Sequence, residues 1–208
     1  MPQLNLTIER ELRWLLEGIL GLLVVATFVG WLLAKRVRGA EGAATVRNLN
    51  GRIRAWWTMS ATFALMLVVG RLGSITLFAL VSFLALREFI TLTPTRRGDH
   101  RALFWAFFVV TPLQYVLVAV DWYGLFAIFV PVYVFLLLPT RMALAGETEH
   151  FLERAAKIQW GLLVCVYCVS HAPALLLLRI EGYSGQGPKL LLFLTLVDQM
   201  SDVLQYVF

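Results

Sequence analysis

Seven long apolar runs, separated by short polar segments, make up most of the chain. A membrane-spanning helix needs about 20 mostly apolar residues, because each helical residue rises only 1.5 Å. The runs therefore predict an all-α protein: a polytopic integral membrane helical bundle of about seven transmembrane helices. The predicted spans are Trp14–Leu33, Ile53–Val69, Leu72–Leu86, Leu103–Ala119, Trp122–Leu138, Trp160–Leu178 and Leu190–Phe208.

Composition supports a membrane protein and excludes two other classes. Hydrophobic residues make up 60% of the chain and charged residues 15%, whereas soluble domains are roughly 45–50% apolar and about 25% charged. Intrinsic disorder requires low hydrophobicity, and 2 cysteines are too few for a disulfide framework. The net charge of +5 is typical of loops that meet lipid headgroups, so no nucleic-acid partner is predicted.

The basic residues predict an orientation. Three alternate loops hold 13 of the 18 lysines and arginines, and an excess of positive charge marks cytoplasmic loops. We therefore expect the N-terminus outside and these loops in the cytoplasm. The 13 residues are Lys35, Arg36, Arg38, Arg47, Arg52, Arg54, Arg87, Arg96, Arg97, Arg101, Arg141, Arg154 and Lys157.

The segment from Arg141 to Lys157 is too polar to span a membrane. Its apolar residues recur at helical spacing, while Glu149 and Glu153 fall on the opposite face with Lys157. The pattern predicts one interfacial helix at the cytoplasmic surface. A solvated connecting helix is the alternative interpretation.

The last predicted span carries a polar stripe. Asp198 and Asp202 are four residues apart, and Ser201 and Gln205 fall on the same helical face. Such a stripe is expected to face a neighbouring helix or a water-filled cavity rather than lipid. Paired carboxylates are ligands for Mg²⁺, while a structural polar seam between helices is the alternative.

Three further polar residues have open interpretations. Arg87 and Glu88 end the third span; Arg87 could meet a lipid phosphate or simply extend its side chain towards water, and Glu88 could neutralise Arg87 or a neighbour. His171 is either a relay or ligand residue or satisfies a backbone group near Pro173.

The spacing of Cys165 and Cys168 matches C-x-x-C. No second cysteine pair accompanies it, so small buried residues are the better interpretation.

Eight short motifs follow one another along the chain from near residue 50. They are Arg52–Trp57, Ser82–Phe89, Arg97–His100, Pro112–Tyr115, Asp121–Gly124, Gln159–Gly161, Ser170–Pro173 and Ser201–Tyr206. In this order they resemble the membrane phosphatidate cytidylyltransferases, which are also called CDP-diacylglycerol synthases, and the resemblance is closest to a bacterial subgroup with an arginine-rich front half.

The resemblance implies a reaction of CTP with phosphatidate, with Mg²⁺ as cofactor, in the bacterial inner membrane. It implies a catalytic and metal-binding role for Asp202, and substrate contacts for Arg87 and Ser201. Asp198 and Glu88 are then supporting residues. A homodimer is a family expectation.

The resemblance also predicts two regions: residues 1–50, an N-terminal transmembrane helix with a basic cytoplasmic loop, and residues 51–208, a cytidylyltransferase-like membrane domain. The family's Ser-Pro-x-Lys-Thr stretch and its later signature do not occur in this sequence. We therefore expect the chain to correspond to the N-terminal two-thirds of such an enzyme and to be inactive alone. The alternatives are a non-catalytic truncated paralogue that binds lipid or assists assembly, and a small transporter, favoured only by Asp198 and His171.

Overall fold

A computed structural model describes residues 10–37, 39–146, 149–178, 180–181 and 186–207. All regular secondary structure in these residues is helical, which confirms the predicted all-α class. The chain divides into two compact units, Met1–Gly70 and Arg71–Phe208. The predicted boundary after residue 50 stays a prediction.

The first unit consists of two helices, α1 (Arg10–Arg36) and α2 (Ala40–Val69). They approach closely at Gly30, where an added Cβ atom would lie 2.2 Å from Oδ1 of Asn50. The indole Nε1 of Trp57 donates a hydrogen bond of 3.0 Å to Oγ1 of Thr27. Gly30 therefore allows the two helices to approach closely, and the hydrogen bond between Trp57 and Thr27 links them.

The predicted basic loop after the first span is mostly helical. Only Val37–Gly39 separates α1 from α2, so Arg47, Arg52 and Arg54 lie on α2. The prediction of a loop was wrong, because it assumed that a segment rich in charged residues could not be helical. The segment Ala40–Val69 contains no proline, and alanine, arginine and leucine all favour helix.

The second unit is built from helices that run back and forth. After α3, the next span consists of a 3₁₀ turn, α4, a π-helical segment and α5. The two spans that follow are likewise interrupted by π-helical segments. α10 follows them. The bounds are α3 Arg71–Thr91, 3₁₀ turn Arg97–Asp99, α4 His100–Trp105, π segment Ala106–Val110, α5 Thr111–Ala119, α6 Tyr123–Ile128, π segment Phe129–Val134, α7 Phe135–Ala143, α8 Phe151–Leu162, π segment Leu163–Cys168, α9 Val169–Ala174, 3₁₀ turn Leu175–Leu177 and α10 Gly187–Val207.

Five helical stretches of the described residues are long and apolar enough to cross a membrane. They confirm a polytopic membrane bundle, although the predicted second and seventh spans, which lie in α2 and α10, are not among the five. The orientation across the membrane stays a prediction. The five are Leu16–Arg36, Arg71–Thr91, Arg97–Ala119, Tyr123–Ala143 and Phe151–Leu177.

The second unit has two distinct ends. We call the end where α3 finishes and α4 and α8 begin the basic end, because it carries Arg87, Arg97 and Arg101. We call the opposite end, where α5 meets α6, the Trp122 end. At the Trp122 end, Nη2 of Arg71 donates a hydrogen bond to the carbonyl oxygen of Ala119.

The predicted interfacial helix does not form as a separate element. α7 ends at Ala143, and the span that begins with α8 starts at Phe151. His150 adopts a left-handed conformation with φ of 50°, which interrupts helical geometry just before α8. The prediction of one interfacial helix over Arg141–Lys157 was therefore wrong. This stretch combines the end of α7, a turn and the first turns of α8, which are separate elements.

A proline leaves one carbonyl group of its own helix without an N–H donor, and a side chain of another helix can donate to that group instead. Pro131 lies in the second π segment and has no N–H to donate to the carbonyl of Ala127. The hydroxyl of Tyr167 donates to that carbonyl instead, at 2.9 Å. The proline therefore creates a polar link between two spans.

Candidate functional site

A buried ion pair lies at the basic end. Oδ1 of Asp99 is 3.4 Å from Nη1 of Arg154, and the side chains are 1% and 5% exposed. The backbone N–H of Arg96 donates to Oδ2 of Asp99 at 3.0 Å. Asp99 belongs to the Arg97–His100 motif, so this motif joins the start of α4 to α8.

An exposed ion pair lies beside it. Arg96 donates to a carboxylate oxygen of Glu149 in the turn before α8. The hydrogen bond and the charge of Arg96 lower the pKa of Glu149 below its ordinary value. Because both side chains are exposed, solvent screens the interaction and it contributes little to stability.

The predicted substrate residue Arg87 lies at the basic end, on the last turns of α3. Its side chain and that of Glu88 are exposed, and the described residues offer no ion pair to either. The substrate role of Arg87 and the supporting role of Glu88 stay predictions. An accessible arginine at this position is suited to an anionic group.

The polar stripe of α10 does not face another helix in the described part of the chain. The helix begins against Leu175–Leu177 and buries Leu191 and Leu192, but its described side chains are half-exposed or exposed from Phe193 to Ser201 and at Gln205. Asp198 and Ser201 are both exposed. Within the described residues no other helix covers these two side chains, and what the stripe faces in the whole protein stays a prediction.

The roles predicted within this stripe stay predictions. The carboxylate of Asp198 accepts a hydrogen bond of 3.5 Å from its neighbour Gln199, and no bond to another helix is present among the described residues. The backbone of Asp202 is helical, but its side chain lies outside the described residues. The structure therefore leaves the catalytic role of Asp202 and the substrate role of Ser201 untested.

Magnesium binding stays a prediction that the described residues do not test. They contain no group of three or more histidine, cysteine, aspartate or glutamate side chains positioned to hold a metal ion. Mg²⁺ requires near-octahedral coordination by oxygen ligands. The Asp99 carboxylate, which could serve, is already paired with Arg154.

Several of the sequence motifs meet inside the bundle. The hydroxyls of Ser82 and Tyr115 are 2.6 Å apart. Nε2 of Gln114 donates to Oγ of Ser170 at 3.1 Å and to the carbonyl of Phe126 at 3.4 Å. Gln114 and Ser170 are fully buried, so these motif residues hold the spans in register.

His171 satisfies a backbone group of its own helix. Its Nδ1 lies 2.8 Å from the carbonyl oxygen of Tyr167, and a carbonyl can only accept, so Nδ1 carries the proton. The ring packs against Phe126, with centroids 4.8 Å apart, and against Tyr167 at 4.6 Å. The interpretation that His171 satisfies a backbone group is therefore confirmed, and the group is the carbonyl of Tyr167.

His171 also contributes to a cavity of about 480 Å³ at the Trp122 end. Apolar side chains form most of its lining, including Val118 and Leu178, and the polar residues are Asp121 and His171, with the aromatic Trp122 and Tyr123. Asp121 adopts a left-handed conformation with φ of 59°. Cys165 and Cys168 are both free thiols. The interpretation as small buried residues is confirmed for Cys165 and was wrong for Cys168, which is exposed.

Comparisons with known proteins identify the family. The family model described as the cytidylyltransferase family matches residues 50–208, which confirms the resemblance and its start near residue 50. This chain belongs to the cytidylyltransferase family. An uncharacterized protein of Escherichia coli (strain K12), YnbB, is 34% identical over 192 residues, covering 92% of this chain and 61% of the relative. No solved structure matches.

The sequence analysis missed two buried polar residues. Arg154 was counted only as a cytoplasmic positive charge, and the contacts of Gln114 were not anticipated. For Arg154 a signal was present, since it crowds the edge of the apolar face of its helix. A charged residue at such an edge indicates a buried partner.

Proposed function

We propose that the whole protein to which this chain corresponds transfers the cytidylyl group of CTP to phosphatidate, yielding CDP-diacylglycerol and pyrophosphate. The family match over residues 50–208 carries the proposal. Five membrane-length helices suit a substrate that resides in the bilayer. The proposal concerns a whole protein because the chain spans 61% of the length of its relative.

In the proposed reaction, a phosphate oxygen of phosphatidate attacks the α-phosphorus of CTP. A new P–O bond forms, and the bond from the α-phosphorus to the oxygen that bridges to the β-phosphorus breaks. Pyrophosphate leaves with the electron pair of that bond. Both substrates are anions, so positively charged groups must offset their repulsion and stabilise the transition state.

The basic end is our proposed location for these anions. Arg87, Arg97 and Arg101 are exposed there, and a guanidinium can hold a phosphate through two parallel hydrogen bonds. Arg154 has another role, because its ion pair with Asp99 joins the start of α4 to α8 and so positions the loop that carries Arg97.

Asp202 and Ser201 remain our proposed catalytic and substrate residues, on the strength of the family resemblance. A bound Mg²⁺ would neutralise charge on the triphosphate. Because the described residues do not form a cluster of metal ligands, no step of the proposal passes through the metal.

The test uses membranes that express the 208-residue chain and, in parallel, the chain extended by the family's signature segment. Labelled CTP is supplied with phosphatidate, and labelled CDP-diacylglycerol is measured. We expect label in lipid from the extended chain and none from the short chain. An extended chain that folds and inserts but labels no lipid would refute the function; a short chain that is active would refute the assignment of catalytic groups.

A non-catalytic lipid-binding protein is the second candidate. The exposed side chains of Asp198 and Ser201 favour it. It predicts that the extended chain binds phosphatidate vesicles and yet incorporates no label from CTP.

A further inference from the structure

The cavity at the Trp122 end lies apart from the exposed arginines of the basic end. It is built from α5, α6, α9 and the turn that follows α9, and its volume of about 480 Å³ is within the range of small-molecule sites. We propose that this cavity binds one hydrocarbon chain of a membrane lipid whose headgroup offers an N–H or O–H donor. The proposal does not depend on nucleotide chemistry.

The lining supports a hydrocarbon chain. Leu117, Val118 and Phe126 form its wall from α5 and α6, and Leu175, Leu177 and Leu178 form the opposite wall. An aqueous metabolite would lose its hydration in such a site without recovering hydrogen bonds. A lipid chain gains apolar contacts at no such cost.

The rim supports a lipid rather than another apolar molecule. Trp122 and Tyr123 are 61% and 66% exposed, and such aromatic residues are typical of the boundary between hydrocarbon and headgroups. A molecule with its chain in the cavity therefore has its headgroup at the depth where headgroups lie.

His171 defines the required headgroup chemistry. Because Nδ1 donates to the carbonyl of Tyr167, Nε2 of the neutral ring is a hydrogen-bond acceptor. Stacking against Phe126 and Tyr167 holds the ring in one orientation. This acceptor favours an ammonium or hydroxyl headgroup over a quaternary ammonium group, which has no N–H to donate.

The experiment compares two lipids with identical acyl chains. The purified chain in detergent is incubated with phosphatidylethanolamine or phosphatidylcholine, and bound lipid is counted by native mass spectrometry. We expect one lipid per chain and a preference for phosphatidylethanolamine of about five-fold, the factor that one hydrogen bond supplies. His171→Phe keeps an aromatic ring and should abolish the preference while lipid still binds.

Two variants test whether the cavity itself is occupied. Leu178→Trp fills the rim from a side chain that is 47% exposed, so the fold should tolerate it, and it should remove most of the bound lipid. Val118→Trp fills the interior of the cavity, because Val118 is only 3% exposed. Its matched control is Val116→Trp on the same helix, where the side chain is 51% exposed.

Equal retention of the two lipids by the unaltered chain would overturn the headgroup assignment. Lipid retention unchanged in Leu178→Trp, or reduced equally in Val116→Trp and Val118→Trp, would overturn the cavity as the binding site. A melting temperature measured for each variant separates lost binding from lost folding.

Discussion

Gly161 on α8 faces Phe89 on α3 so closely that a Cβ atom added to the glycine would lie 2.7 Å from Cδ1 of the ring and 2.9 Å from Cε1. Leu86 Cδ1 would be 3.3 Å away. Small residues at helix interfaces in membranes allow such close approach. The pair therefore sets the distance between two spans at the basic end, near the proposed anion-binding arginines.

We expect Gly161→Ala to lower stability by about 1–3 kcal/mol, because an added methyl group in a packed interface forces side chains from their preferred rotamers. Thermal unfolding in detergent measures the effect. Gly124→Ala is the control, since a Cβ atom there would meet no atom within 4 Å. Adding Phe89→Ala should recover part of the loss in Gly161→Ala; no recovery would mean that the ring is not the obstacle.

We expect Asp99→Asn to destabilise the protein by about 3–5 kcal/mol, because it leaves the buried guanidinium of Arg154 without its carboxylate. Denaturant unfolding in mixed micelles measures this loss. The double variant Asp99→Leu with Arg154→Leu should lose much less than either single change. An equal loss in the double variant would show that packing, rather than charge, is what the pair contributes.

Glu149→Gln is the matched control for the buried pair and should have little effect, since its ion pair with Arg96 is exposed. The pKa of Glu149 is lowered in the folded protein, so the small contribution of this pair is present above the ordinary carboxylate pKa. It is lost as the pH falls through the lowered value. A large destabilisation at neutral pH would contradict this assignment.

Asp202→Asn should abolish most cytidylyl transfer in a chain extended by the family's signature segment, while the protein stays in the membrane at normal levels. The change keeps size and polarity but removes the charge that a cation needs. Asp198→Asn is the comparison, and we expect it to keep much more activity, because an amide can still form hydrogen bonds. Swapped effects, measured by labelled CTP incorporation, would refute the assignment of Asp202.

The predicted orientation has its own test. A reporter fused after Gly124 should be detected outside the cell, and one fused after Gly146 inside, because the sequence assigns 13 of the 18 basic residues to the cytoplasmic side of the predicted spans. The reverse pattern would move Arg87 and the basic end to the outer face, where CTP is not available.

The sequence by itself determined the class of protein and its family. Hydropathy is a property of consecutive residues, so long apolar runs predicted membrane-length helices without any tertiary information. The family motifs are also short and local, which is why their order was readable and why the match over residues 50–208 agrees with it. Loops were predicted less well, because a charged segment such as that around Arg47 can be helical.

Only the tertiary structure decided which polar residues meet. Ser82 and Tyr115 are 33 residues apart in the chain, and Gln114 and Ser170 are 56 apart. Their contacts depend on how far each helix is rotated and how closely it approaches its neighbour, and the π-helical segments change that rotation within a span. The same geometry exposed Asp198 and buried Arg154, because the position of a side chain on a helix does not specify what packs against it.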